Sequence, residues 1–367
     1  MTPTELYDHI SEAEGIPMQA LNPLQYELLQ IAEEANGLRE RRHASSTHAI
    51  APESIGIAEQ ELGKKQEKII VAENFRERAR LLLAEAKDYA RSVAHPIDEY
   101  KAILEIVRVS YDQELVDRAR KVVAANNTVH ETWKIDMLGD IAELDRTDAT
   151  QNAIEEQISL ITNWQNIKIT QTIIALARAK AGHAPDKIDE VMRLADNIEH
   201  RDNRAQFITS AALFSPEPEN IAKAVEAIET MVEVDDEAVF LYLQIAALGN
   251  QSEALEEAFR HIGFIDEGED FNLAIAKYAA ILADQGKIDG ALHYADEAEE
   301  QKHIVMAHIA AALFRIGEEQ KAFEYLREIV NPSSRSYSYA AFAKALLDKA
   351  DVLEKDSIQP SISESPS

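Results

Sequence analysis

The chain has 367 residues, of which 66 are acidic and 37 are basic, and it contains no cysteine. The lack of cysteine excludes disulfides, thiolate zinc sites, iron–sulfur clusters and cysteine nucleophiles. The net charge of −29 argues against general nucleic-acid binding, because affinity for phosphates comes mainly from Lys and Arg. With only 12 glycines and 11 prolines, the composition favours long helices in an all-α protein.

Residues 1–95 predict an N-terminal helical region. Two short helices are expected before a polar loop at 43–54, and a long helix of about 55–94 follows it. Pro96 is expected to close this long helix. Apolar residues recur along it at helical spacing and predict a buried stripe made of Val71, Phe75, Ala79, Leu82, Ala86, Tyr89 and Val93.

From residue 97 to 350 the chain predicts helix pairs that recur with a period of about 34 residues. A small or aliphatic residue early in each second helix marks the repeat, in steps of 30 to 37 residues: Ala153, Ile188, Ala224, Ala254, Ala291 and Ala322. Gly249, Gly286 and Gly317 each precede such a marker by five positions, and Gly182 precedes one by six. Glycine supplies the positive φ with which a chain leaves one helix and begins the next.

This pattern of a small residue and Leu, then Gly, then Ala five positions on resembles the tetratricopeptide repeat (TPR). The resemblance covers about residues 100–350, although the family's characteristic Trp is missing and its closing proline occurs convincingly only as Pro332. It implies an α-solenoid of antiparallel helix pairs, a TPR-like right-handed superhelix whose concave face binds peptides or folded partners, and it implies no chemistry. A related helical-hairpin solenoid is the alternative. Stacking is expected in both cases, because one pair of this length cannot bury its apolar face alone.

The two ends of the sequence carry further signals. A helix at 336–350 is expected to cap the repeats, and residues 351–367 are expected to form a disordered tail, because its Ser- and Pro-containing sequence buries too little apolar surface. The first residues lack the positive and apolar regions of a secretory signal, and no stretch approaches the roughly 18 apolar residues of a spanning helix. We therefore predict a cytoplasmic protein without membrane insertion.

The sequence contains no Walker A, GxGxxG, HExxH, GxSxG or EF-hand motif. We therefore predict no catalytic, cofactor-binding or metal-binding residues. Several conspicuous features have an ordinary interpretation as solvated groups, helix ends or packing aromatics: Arg39, Arg41, Arg42, His43, His48, Trp133, Trp164, His303, His308 and the acidic runs 235–237 and 266–270.

The first helix of each pair is expected to line the concave face. In the two clearest units, Asp270–Gln301 and Lys302–Asn331, the side chains expected there are Leu273, Ala280, Asp284, Ile304, Ala311 and Arg315. This set is more apolar than a groove that recognises charged peptide ends.

These observations favour a non-enzymatic scaffold or adaptor that binds a protein or peptide partner through a helical-repeat surface. The acidic charge favours a basic or amphipathic partner, with solubility alone as the other explanation for it. A bacterial secreted effector built on the same scaffold is one alternative, and an all-helical enzyme with a site of scattered carboxylates and His is another. The N-terminal region is expected to cap the repeats, with self-association through its long helix as the alternative.

Overall fold

The computed structural model describes residues 52–126, 129–145, 147–161, 167–231, 236–249, 251–266 and 268–358. Within these residues every regular element is a helix, as the composition predicts. The α-helices there are α1 (Pro52–Arg91), α2 (Pro96–Ser110), α3 (Gln113–Ala125), α4 (Glu131–Leu144), α5 (Asp148–Leu160), α6 (Ile167–Ala181), α7 (Ile188–Asp196), α8 (Arg201–Phe214), α9 (Pro218–Glu229), α10 (Asp236–Ala246), α11 (Ser252–Ile262), α12 (Glu269–Asp284), α13 (Ile288–Ala295), α14 (Lys302–Arg315), α15 (Glu319–Glu328) and α16 (Pro332–Ile358).

Several sequence predictions lie outside the described residues. They concern the two helices expected before residue 43, the basic group at 39–42, the histidines at 43 and 48, Trp164, and the tail from residue 359 onwards.

The long helix predicted at 55–94 is present as α1, but the prediction of how it ends is wrong. α1 ends at Arg91, and Pro96 is the first residue of α2. Proline suits this position, because the first helical N–H has no intrahelical partner and the ring already holds φ near the helical value. Pro218 begins α9 in the same way.

The structure divides into two compact units, with the boundaries inside α1 and α16. The terminal unit consists of residues up to 81 and from 343 onwards, of which 52–81 and 343–358 are described. The central unit consists of Leu82–Phe342.

In the terminal unit, the end of α16 is held to α1 by charged side chains. Arg76 of α1 pairs with Glu354 and lies 3.4 Å from Asp351. The predicted start of the disordered tail is therefore wrong, because residues 351–358 are helical. Asp351 and Glu354 were expected in a solvated tail, but in the structure both contact Arg76 of α1.

The predicted buried stripe of α1 is confirmed only in part within the terminal unit. Ala79 is fully buried as predicted, whereas Val71 is 37% exposed and the adjacent Ala72 is buried in its place. Adjacent helical positions are separated by about 100°, so Val71 and Ala72 face different directions.

The helices of the central unit pack in a regular order. Each helix from α2 to α14 packs against the next one in the chain. In addition, the even-numbered helices from α2 to α14 pack one against the next, and these are the first helices of the predicted pairs. This order is what neighbouring pairs produce when each covers the apolar face that the other leaves open.

The residues that mark the repeat occupy equivalent positions in the structure. All six lie in odd-numbered helices, the second helices of the pairs, and five of them are buried: Ile188, Ala224, Ala254, Ala291 and Ala322. Ala153 is half-buried.

The prediction that glycines supply positive φ between paired helices is confirmed at three positions and wrong at one. Gly249, Gly286 and Gly317 have φ of 78°, 77° and 91°. At Gly182 the left-handed residue is instead the following one, His183, with φ of 46°. None of the described helices is long and apolar enough to cross a bilayer.

Candidate functional site

A groove of about 500 Å³ lies in the central unit. Its lining comes from α2, α10 and the residue after it, α12, α14 and the first turns of α16. Each of these is an even-numbered helix, and no odd-numbered helix contributes. The walls are mostly apolar and include Phe240, Leu243, Ala280, Ile281 and Ile304.

Three of the six side chains expected on the concave face line this groove, namely Ala280, Asp284 and Ile304. Of the other three, Arg315 pairs with Asp284 at the groove's edge and Ala311 is buried in the core. Leu273 lies outside the lining.

Two lysines face one side of the groove. The Lys277 side chain is half-buried, and its Nζ lies 4.8 Å from the centre of the Phe240 ring. Burial and the neighbouring Lys101 cation lower the pKa of Lys277. Among the described residues, no carboxylate oxygen lies within 4.0 Å of either ammonium group.

The acidic side of the groove is internally paired. The Asp284 carboxylate accepts hydrogen bonds from Arg315 at 2.9 Å and from the His308 Nδ1 at 2.8 Å. The His308 ring stacks on Tyr337 with 4.4 Å between centroids, and the Tyr337 hydroxyl lies 3.1 Å from the His308 Nδ1. Burial, Asp284 and Glu105 together raise the pKa of Tyr337, so its hydroxyl stays protonated.

Ser334 also lines the groove and contacts a histidine, but this pair is not an activated nucleophile. The Asn331 amide oxygen accepts from the Ser334 backbone N–H, so the amide nitrogen faces the His303 Nε2 at 3.2 Å and donates to it. The ring proton must then sit on Nδ1, which lies 3.3 Å from the Ser334 Oγ. A protonated Nδ1 cannot accept the serine proton. Burial also lowers the pKa of His303, so the ring stays neutral.

A second polar cluster lies elsewhere in the central unit, between α2, α4 and α6. The buried Lys180 donates to Asp140, and the Tyr100 hydroxyl donates to the Met137 carbonyl at 3.0 Å. Burial alone would lower the pKa of Lys180, but the Asp140 carboxylate raises it above its ordinary value. Burial and the Asp140 charge raise the pKa of Asp136 to about 6.

The remaining features singled out in the sequence lie at helix starts or on a helix surface. The described part of the acidic run at 266–270 ends in the first turn of α12, and Asp236 begins α10. Trp133 is 43% exposed on α4. Within the described residues, no group of three or more His, Asp or Glu side chains could hold a metal ion.

Sequence reasoning missed Lys101, Phe240, Lys277 and Tyr337 as groove residues. The available signal was the lone lysine in the apolar run of α12. A charged residue in such a run either pairs with a residue of opposite charge or lies at a ligand-binding site, and the sequence alone does not distinguish the two.

Comparison with known proteins gives no assignment for the chain. No protein-family model matches it, and no curated protein matches it significantly.

Proposed function

We propose that the protein is a non-enzymatic scaffold of the tetratricopeptide-like class, whose groove binds an apolar segment of a protein or peptide partner. The observation that carries this proposal is the origin of the lining, which comes from first helices of pairs and from the first turns of α16, the predicted capping helix. In a right-handed superhelix of antiparallel pairs, these helices form the concave face, which is the surface the family resemblance implies for binding.

The composition of the groove favours an amphipathic partner. Each Å² of apolar surface that a bound segment covers contributes about 25 cal/mol to the free energy of binding. The chain around it carries a net charge of −29, which accelerates the approach of a basic partner. A segment with one apolar face and basic flanks satisfies both conditions.

A pair of matched variants tests the proposal. Gln244 is exposed and lines the groove, whereas Gln151 is exposed on α5, outside the lining. The tagged full chain is used to retain a partner from native lysate, and mass spectrometry measures the amount of partner retained. We expect Gln244→Trp to reduce this amount at least tenfold and Gln151→Trp to leave it unchanged. Retention that is equal in both variants would place the interaction outside the groove, and no retained partner at all would contradict the scaffold proposal.

The Asp284–His308 pair favours an all-helical enzyme as the second candidate function. A carboxylate that orients one ring nitrogen of a histidine leaves the other nitrogen as a base. Here Arg315 also pairs with the Asp284 carboxylate, which weakens the influence of that carboxylate on the His308 ring. An activity screen of the full chain, with His308→Gln as the inactive control, distinguishes this candidate from the scaffold.

A further inference from the structure

The feature that the scaffold proposal leaves unexplained is Lys277. Its ammonium group is half-buried on the groove side of α12 and contacts the face of the Phe240 ring. Acidic residues outnumber basic ones by 66 to 37 in this chain, so a carboxylate partner is easy to supply. Within the described part of the chain, Lys277 has none within 4.0 Å.

The other buried and half-buried lysines in the described part of the central unit each have a hydrogen-bond acceptor, which for Lys134 is the Ala124 carbonyl at 3.4 Å. Lys180 pairs with Asp140, and the half-buried Lys87 pairs with Asp112. A cation moved out of water without an opposite charge is unfavourable, and contact with a ring face compensates only in part. The position of Lys277 therefore points to an anion supplied by a ligand.

The carboxylates that line the groove do not fill this role. Asp284 is engaged by His308 and Arg315, and Glu105 is paired with Arg108. Lys101, which also lines the groove, lies close enough to act on the charge of Lys277. The groove thus presents two cations next to an apolar wall, while its acidic groups already pair with other cations.

We propose that the groove is a binding site for an amphiphilic carboxylate, a small molecule with one carboxylate and an unbranched apolar chain. The carboxylate lies between Lys277 and Lys101, and the apolar chain lies along Phe240, Leu243 and Ile281. The volume of the groove falls within the range of about 300–1,000 Å³ that is usual for small-ligand sites, and a few placed charges in an apolar wall are typical of them. This proposal uses the same groove as the partner proposal, but its test needs no partner, so the two proposals can fail separately.

Titration calorimetry of the full-length protein with three probes of one chain length tests the charge requirement. The probes are dodecanoate, dodecan-1-ol and dodecylamine, each kept below the concentration at which it forms micelles or separates from solution. We expect dodecanoate to bind at one site at least tenfold more tightly than dodecan-1-ol, and dodecylamine to bind more weakly than both. Equal affinities of the acid and the alcohol, or no binding of dodecanoate, would overturn the proposal and leave the partner proposal standing.

Lysine variants test the position of the anion. Lys277→Met keeps the unbranched apolar stem, and Lys101→Gln changes an exposed side chain, so neither removes a core contact. We expect Lys277→Met to reduce the affinity for dodecanoate to that for dodecan-1-ol, and Lys101→Gln to reduce it about threefold. Lys287→Met is the matched control, since Lys287 is exposed and outside the lining, and it should bind as the wild type does. Dodecanoate binding that is unchanged in Lys277→Met would contradict the assignment.

Discussion

The two lysines Lys180 and Lys277 lie in first helices of the same central unit and have opposite environments. Lys180 is 8% exposed and donates to Asp140 in a cluster that also holds Asp136 and Tyr100. Lys277 is half-buried against Phe240 and faces a groove without a carboxylate partner. In the first region the described residues supply the counter-charge, and in the second none of the described residues does.

This difference suggests different roles for the two lysines, a structural role for Lys180 and a ligand-binding role for Lys277. A buried ion pair is sensitive to the loss of either partner, because the remaining charge is left without compensation. A lone cation already lacks compensation, so its removal should leave the folded state unharmed or even stabilise it. Stability measurements therefore distinguish the two regions before any ligand is known.

The largest effect is expected from breaking the paired lysine. Lys180→Met leaves Asp140 and Asp136 as neighbouring carboxylates without a cation, and we expect it to lower the free energy of unfolding by about 3–5 kcal/mol. Urea unfolding followed by circular dichroism measures this change. A loss no larger than that of the exposed control Lys187→Met would show that the pair is not structural.

A smaller loss is expected from the helix contact beside Lys180. A Cβ added at Gly139 of α4 would lie 3.0 Å from the Ala177 Cα and 3.2 Å from its Cβ, both on α6. Gly139→Ala therefore forces the two helices apart, and we expect a loss of about 1–3 kcal/mol in urea unfolding. Gly290→Ala on α13 is the control, because its Cβ meets only a Leu282 methyl at 3.5 Å, and it should be neutral or stabilising.

The same cluster should make the stability of the protein depend on pH in the acidic range. Because the pKa of Asp136 is raised from 3.8 to about 6, the folded state binds the proton more tightly than the unfolded state does. Its contribution to stability is complete below pH 4 and is lost as the pH rises through 6. We expect Asp136→Asn to gain about 2–3 kcal/mol over the wild type at pH 7 and nearly to match it at pH 4. A gain that is the same at both pH values would contradict this assignment.

The smallest effect is expected at the unpaired lysine. Lys277→Met removes a desolvated cation and keeps its stem, so the free energy of unfolding at pH 7 should change by less than about 1 kcal/mol and should not fall. Thermal unfolding of the two variants side by side gives the comparison directly. A loss as large as that of Lys180→Met would mean that Lys277 has a structural partner, and the groove would lose its anion site.

The local features of the repeat could be predicted from the sequence because they depend on near neighbours. The period of the marker residues and the positive φ at Gly249, Gly286 and Gly317 both follow from the few residues around them. Gly182 and His183 show the limit of this reasoning. The spacing predicts that one residue in this turn has positive φ, but it does not predict which of the two adjacent residues it is. Pro96 shows another, because a proline both follows helices and begins them.

The groove could be predicted only in part, since its composition depends on which helices meet. Ala280, Asp284 and Ile304 were expected on one shared face from the repeat alignment, and they do line the groove. The meeting of Lys101 on α2 with Lys277 on α12 was not expected, because residues so distant in the chain come together only through the path of the intervening pairs. The helical end of α16 was missed for the same reason, as its partner Arg76 lies near the other end of the chain.

The composition of the terminal unit has a consequence for how the protein is made. Its two described segments, 52–81 and 343–358, lie on either side of the whole central unit in the chain. Translation proceeds from the N-terminus, so the central unit can assemble pair by pair as it leaves the ribosome, because most of its contacts join neighbours. The terminal unit must wait for the last segment, because Arg76 of α1 pairs with Glu354 near the end of α16. Nascent chains stalled before residue 343 therefore lack this contact, while most of the central unit can already be formed.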